Sequence, residues 1–207
     1  WGVQEFNDFY HPIRVYRSTG EQEDAAWGGN CCGKESDKSA AGIENTYGYD
    51  LLNQLISVTK KGTNSPADDF KTEYTLDGAG RQLTEKISGG ALALLVSSNK
   101  YDGAGRTIES RDSLGLITTY QYQNGGRIST VVRPGNGTNV TENYLDGRAK
   151  NIGGNSQTAQ AFDYGVNSDG ARWTKVYSGP AGVSSPAWSK NTVDLIGRSI
   201  CMEKPEF

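Results

Sequence analysis

Lys100-Tyr101-Asp102-Gly103-Ala104-Gly105-Arg106 recurs upstream, almost letter for letter, as Leu76-Asp77-Gly78-Ala79-Gly80-Arg81. An Asp at the first position of a tight turn accepts hydrogen bonds from main-chain N–H groups two or three residues on. The glycine three residues later takes the positive φ that a side chain opposes. The stretch therefore reads as a β-hairpin corner, a type I turn closed by a left-handed glycine.

Further copies follow. Tyr47-Gly48-Tyr49-Asp50-Leu51-Leu52-Asn53 has Asn at the glycine position, the next best residue for that backbone. Tyr120 to Ile128 keeps Tyr120, Tyr122 and Gly126-Arg127 but has Gln123 in place of Asp. Tyr144-Leu145-Asp146-Gly147-Arg148 is shortened, Tyr164 to Arg172 is distorted around Asp169-Gly170, and Asp194-Leu195-Ile196-Gly197-Arg198 restores the spacing. The markers Asp50, Asp77, Asp102, Gln123, Asp146, Asp169 and Asp194 stand 21 to 27 residues apart, one hairpin per interval. Self-similarity at such a period signals a repeat architecture. The expected fold is all-β: consecutive antiparallel β-hairpin repeats forming a curved or spiralling sheet. Residues 47–207 hold the repeats, and residues 1–46 form an irregular leader with room for one decayed repeat at Ile13 to Glu21.

Tyr-Asp-x-x-Gly-Arg at a period in the low twenties resembles the YD-repeat, or rearrangement-hot-spot (RHS), family, and the resemblance covers roughly residues 47 to 198. It implies a β-sheet wound into a hollow shell, as in bacterial polymorphic toxins, the cocoon subunits of insecticidal toxin complexes and the animal teneurins. Such shells enclose or present another domain. The implied role is a structural scaffold, a shell or tube segment of a secreted or cell-surface bacterial protein. A partial spiral leaves two unpaired sheet edges, so copies are expected to join end to end into a filament. The alternatives are a surface module that binds glycans or a partner protein, and the encapsulating part of a polymorphic toxin. Full-length relatives cut themselves with aspartates near an Asp-Pro-x-Gly signature. No Asp-Pro occurs here, so the resemblance transfers scaffold and not protease activity.

Asp50, Asp77, Asp102, Asp146 and Asp194, with Gly80, Gly105, Gly126 and Gly197, are read as turn formers rather than catalytic groups. Tyr47, Tyr49, Tyr74, Tyr101, Tyr120, Tyr122, Tyr144 and Tyr164 lie on strands at repeat positions, and stacked hairpins would bring them into an aromatic ladder. The arginines recur in step. Each is expected to pair with a turn carboxylate or to stack on a tyrosine of the next hairpin.

Composition agrees with this reading. Glycine, at 27 of 207 residues, is about twice its usual share, and six prolines are few. A net charge of -3 spread over mixed signs argues against a nucleic-acid partner. The longest apolar run, Ala91 to Val96, suits a buried strand and falls far short of a bilayer span. A chain opening on Trp1 without Met is expected to be a mature product or a piece of something longer. Cys31, Cys32 and Cys201 are too few for a disulfide framework; free thiols, a bridge to Cys201 and a link between the two neighbours all stay open. His11 is the only histidine, which leaves neither a nucleophile's partner nor a zinc ligand set, so no cofactor and no enzyme activity are expected. Trp1 and Trp27 are expected to cap a sheet end; stacking on a sugar is the other reading.

Overall fold

The computed structural model describes residues 3–17, 19–28, 33–62 and 65–206. Trp1, Cys31 and Cys32 lie outside the described residues. The protein is all-β, with eighteen strands and three single-turn 3-10 segments among the described residues. Strand segments such as Ile128–Arg133 and Ile117–Gln123 are rich in the β-branched and aromatic residues that suit a pleated surface. The chain divides into two units, Trp1–Lys100 with Ser110–Leu116, and Tyr101–Glu109 with Ile117–Phe207.

The first unit contains β1 (Val3–Phe6), β2 (Pro12–Tyr16), β3 (Gln22–Trp27), β4 (Lys34–Lys38), β5 (Glu44–Tyr49), β6 (Leu55–Lys60), β7 (Phe70–Leu76), β8 (Gln82–Gly89) and most of β9 (Leu92–Tyr101). Each strand pairs antiparallel with the next. Residues 1–46 thus contribute four strands, joined in part by the corners Asn7 to His11 and Arg17 to Glu21. One face there carries a row of alternating charge. Glu5 faces Arg14, Arg14 faces Asp24, Asp24 faces Lys38 and Lys38 faces Glu44. Arg14 reaches Asp24 at 2.7 Å and Glu5 at 3.3 Å. Opposite charges directly across a ladder stabilise the pairing that like charges would oppose, so this row sets register over five strands.

In the second unit, most of β10 (Thr107–Arg111) is followed by β11 (Ile117–Gln123), β12 (Ile128–Arg133), β13 (Gly137–Asn143), β14 (Ala149–Gly153), β15 (Gln160–Val166), β16 (Arg172–Ser178), β17 (Trp188–Val193) and β18 (Ser199–Glu203). From β11 onward each strand pairs antiparallel with its successor. The core is thin. Ala161, Ala171, Tyr177, Ser185 and Thr192 are the buried residues among those described, and all belong to this unit. Trp173 lies across from Gly165 and lays its indole over it, where a Cβ would collide with the ring. Lys175 and Lys190 face each other, a like-charge pair. Aromatic rings offset the repulsion: Lys175 Nζ sits 3.9 Å from the Trp188 ring centre, and Lys190 Nζ is 5.6 Å from Trp173 and 3.0 Å from Glu203.

Because consecutive strands run antiparallel, alternate connections fall at the same end of each unit's sheet. In the first unit, Asn7 to His11, Asp50 to Gln54 and Asp77 to Arg81 share one end. In the second, Asn124 to Arg127, Tyr144 to Arg148, Asn167 to Ala171 and Asp194 to Arg198 do so. A β-bulge precedes several of these corners, at Glu5/Phe6, Gly48/Tyr49, Thr75/Leu76, Glu142/Asn143 and Thr192/Val193. The bulge absorbs the odd residue of a five-residue corner.

Candidate functional site

The repeated feature is the corner itself. At Asp102 the backbone N–H donates to the carbonyl of Arg106 (2.9 Å), and the Gly105 N–H returns to the carbonyl of Asp102 (3.0 Å). Asp102 Oδ1 accepts from the N–H groups of Ala104 and Arg106, each at 2.9 Å, while Oδ2 accepts from Arg106 Nε at 2.8 Å and Nη2 at 2.7 Å. Gly105 has φ 83°, a conformation open chiefly to glycine. Asp77 with Arg81 repeats this set, and Asp194 with Arg198 repeats it through the two amides and Nε, with Gly80 at φ 79° and Gly197 at φ 89°.

The variants obey the same hydrogen-bond rule by other means. Asp50 accepts from Leu52 and Gln54, and Asn53 takes the left-handed position at φ 59°. In the corner opened by Tyr144, the carboxylate has moved to the third position. Asp146 Oδ1 accepts from the Arg148 N–H, and Oδ2 holds the guanidinium at 2.7 Å and 2.6 Å. Asp169 takes the same third position in the corner opened by Asn167 and accepts from Ala171. Around Gln123 the corner contracts to a 3-10 turn over Asn124–Gly126, with Gly126 at φ 92°.

Three corners were not expected from the sequence. Asn7 accepts from Phe9 and His11 with Tyr10 at φ 61°, Ser39 accepts from Ile43, and Asp112 accepts from Leu114 and Leu116. Asp112-Ser113-Leu114-Gly115 carries the Asp-x-x-Gly signal outright. Tyr10 in a left-handed position has no sequence signal.

Electrostatics follow from these bonds. The Arg81 guanidinium and then the Arg81 amide hold the Asp77 carboxyl below the ordinary range. At Asp102 and Asp194 the amides of Arg106 and Arg198 lead, followed by their guanidiniums; at Asp146 the Arg148 side chain leads. These carboxylates are occupied as acceptors and poor at taking up a proton.

Arginine and tyrosine link neighbouring corners and strands. The Arg106 guanidinium lies 4.4 Å from the Tyr122 ring centre, and Arg148 lies 4.4 Å from Tyr164. The Tyr122 hydroxyl donates to the Thr107 carbonyl and the Tyr144 hydroxyl to that of Phe162. Tyr144 and Tyr164 meet edge to face at 6.0 Å. In the first unit Tyr49 donates to the Lys34 carbonyl and Tyr47 to Asp37. Tyr74 and Tyr120 lie on β7 and β11, and Tyr101 ends β9. Asp37 also accepts from Asn45 and Lys34. Burial pushes its carboxyl up, but the three donors outweigh that and bring it below its ordinary value. Trp27 stacks on His11 at 4.4 Å and donates Nε1–H to the Pro12 carbonyl. Cys201 is exposed and unbridged among the described residues.

Residues 101–138 match the family model described as RHS Repeat, a stretch that includes the Asp102 corner, β10, β11 and β12. No curated protein matches. Among solved structures, the crystal structure of TcdB2-TccC3-TEV aligns over 98% of this chain with a TM-score of 0.54 and 11% identity. The Photorhabdus luminescens Tc holotoxin pore, in a form with a point mutation in TccC3, aligns over 98% with a TM-score of 0.54 and 11% identity. This chain spans 12% of the length of each of those chains. The likeness is one of fold, and no helix among the described residues is long and apolar enough to cross a membrane. The corner geometry and the match over residues 101–138 agree: the chain carries an RHS repeat there and resembles the RHS-repeat family in its fold.

Proposed function

We propose that the chain is a wall segment of an RHS-repeat β-shell, a structural scaffold and not an enzyme, belonging to a secreted or cell-surface bacterial protein of the polymorphic-toxin kind. One observation carries the reading: the recurring carboxylates, guanidiniums and glycines are consumed in making corners, and only five of the described residues are fully buried, the others being half-buried or exposed. A wall needs that arrangement; a catalytic cleft would leave such groups free. Residues 47–207 supply the regular repeats, and the corner from Arg17 to Glu21 is the decayed repeat of residues 1–46.

Such a wall continues by strand addition. The last strand, β18, is exposed along its length, with Ile200 57% and Met202 65% accessible. An edge of this kind pairs readily with another strand, so copies are expected to join end to end. Light scattering on the purified chain over a concentration range tests this. Mass should rise with concentration, and Ile200→Lys should suppress the rise by charging the edge. A compact monomer at every concentration would overturn the joining, and a helical circular-dichroism spectrum would overturn the wall itself.

A further inference from the structure

The row of corner arginines has one exception. Arg81, Arg106, Arg148 and Arg198 each hold a carboxylate of their own corner. Arg127 closes the corner in which Gln123 and Asn124 replace the aspartate. Its Nε reaches the Asn124 carbonyl at 3.4 Å, and it makes no ion pair among the described residues. Arg127 also lines a cleft of about 470 Å³, together with Asn143, Tyr144, Leu145, Lys150 and Asp163. That volume falls within the roughly 300–1,000 Å³ of small-molecule sites.

The other charges of the cleft are engaged internally. Arg148 is held by Asp146 at 2.6 Å, and Lys150 by Glu142 at 2.7 Å. Glu142 also feels the Arg127 charge, but its two oxygens are taken by Lys150 and Asn151. Asp163 takes the N–H of Tyr164 on Oδ1 and forms no ion pair among the described residues, although it lies opposite Lys175, whose ammonium is turned onto Trp188. The Asn143 side-chain amide has no hydrogen bond among the described residues. The cleft therefore offers a guanidinium, a carboxylate and an amide with bonding capacity to spare, beside the apolar surface of Tyr144 and Leu145, the latter 89% exposed.

We infer that this cleft is a binding subsite for an acidic sugar, a hexuronate unit of a polysaccharide. The sugar carboxylate accepts from Arg127 in the paired geometry that a guanidinium favours. Ring hydroxyls donate to Asp163 and exchange hydrogen bonds with Asn143, and the apolar ring face rests on Tyr144 and Leu145. Asp163 as a carboxylate only accepts, and it sets a negative charge in the same cleft as Arg127, so a ligand dense in carboxylates is disfavoured and one with hydroxyl donors beside its acid is accommodated. A uronate unit brings more than one hydroxyl donor with each carboxylate, whereas an acidic peptide brings one backbone N–H per residue, which favours the sugar.

Chemical-shift titration of the full chain with di-galacturonate, with neutral di-galactose and with an oligoglutamate peptide tests the assignment. Di-galacturonate should shift amides of residues 143–150 and 163–164 and bind about tenfold more tightly than di-galactose. Arg127→Gln should erase that preference; Asp163→Asn should weaken both sugars. The Arg127 side chain makes one long hydrogen bond, to the Asn124 carbonyl, so amide dispersion should show Arg127→Gln folded, and Asp163→Asn serves as the second readout. Equal binding of acidic and neutral sugar, or an Arg127→Gln chain that still prefers the acid, would overturn the assignment. Oligoglutamate shifting the same amides as strongly would also overturn it, because the cleft would then not distinguish a uronate from another polycarboxylate.

Discussion

Arg106 stacks on Tyr122 at 4.4 Å while the same guanidinium grips Asp102, so one side chain closes its own corner and binds a ring on a later strand. Arg148 repeats the relationship with Tyr164, also at 4.4 Å. A lysine has the charge but neither the fork nor the flat face. Arg106→Lys is expected to destabilise the chain by about 0.5–1 kcal/mol. A double-mutant cycle with Tyr122→Leu, read by urea unfolding, should return a coupling of that order. Additive effects would show that the stacking contributes nothing.

Gly105 and Gly103 sit two residues apart in one corner and differ in kind. Gly105 has φ 83°, whereas Gly103 has no positive φ, and a methyl group placed on it would meet no atom within 4 Å. Gly105→Ala should cost about 1–2 kcal/mol, the left-handed penalty of an L-residue. Gly103→Ala should fall within about 0.5 kcal/mol of the parent. Equal unfolding midpoints for the two variants would contradict the corner geometry.

Corner carboxylates make the fold acid-sensitive. Folding lowers the proton affinity of Asp77, Asp102, Asp146 and Asp194, so their contribution is present above the ordinary carboxylate value and is lost as pH falls through the lowered one. Melting temperature should therefore drop steeply below about pH 4. Asp77→Asn with Asp102→Asn should lower it at pH 7 and flatten the acid limb, as a melting series from pH 7 to pH 2 would reveal.

Tyr47 gives the opposite limb. Burial, and then its hydrogen bond to Asp37 at 2.7 Å, push its hydroxyl from 10.0 up to about 12. Its contribution is complete below the unfolded value and lost as pH rises through the folded one. Ultraviolet titration of phenolate should show a late-ionising tyrosine that disappears in Tyr47→Phe. An unchanged titration curve in that variant would refute the pairing.

Gly165 leaves room for the Trp173 indole across the β15–β16 ladder. Gly165→Ala forces the ring aside and should cost about 1–3 kcal/mol, with a changed tryptophan emission as the accompanying sign.

The chain's own order of residues decided the corners, because each is closed within five positions: an acceptor at the first, a residue tolerant of positive φ at the fourth, and a donor at the fifth. Asp77, Asp102 and Asp194 needed no other information. Asp146 and Asp169 show how a shift to the third position preserves the turn, and there the spacing alone misplaced the acceptor. Tertiary structure decided everything that crosses strands: the charge row from Glu5 to Glu44, the Trp27–His11 stack, the lysines laid on Trp173 and Trp188, and the meeting of Arg127 and Asp163 in one cleft. Those partners lie in different strands or on opposite sides of a corner, and a single-residue change of register would exchange the faces on which they meet. Local hydrogen bonding sets where the polypeptide turns, and pairing between the strands sets which side chains then meet.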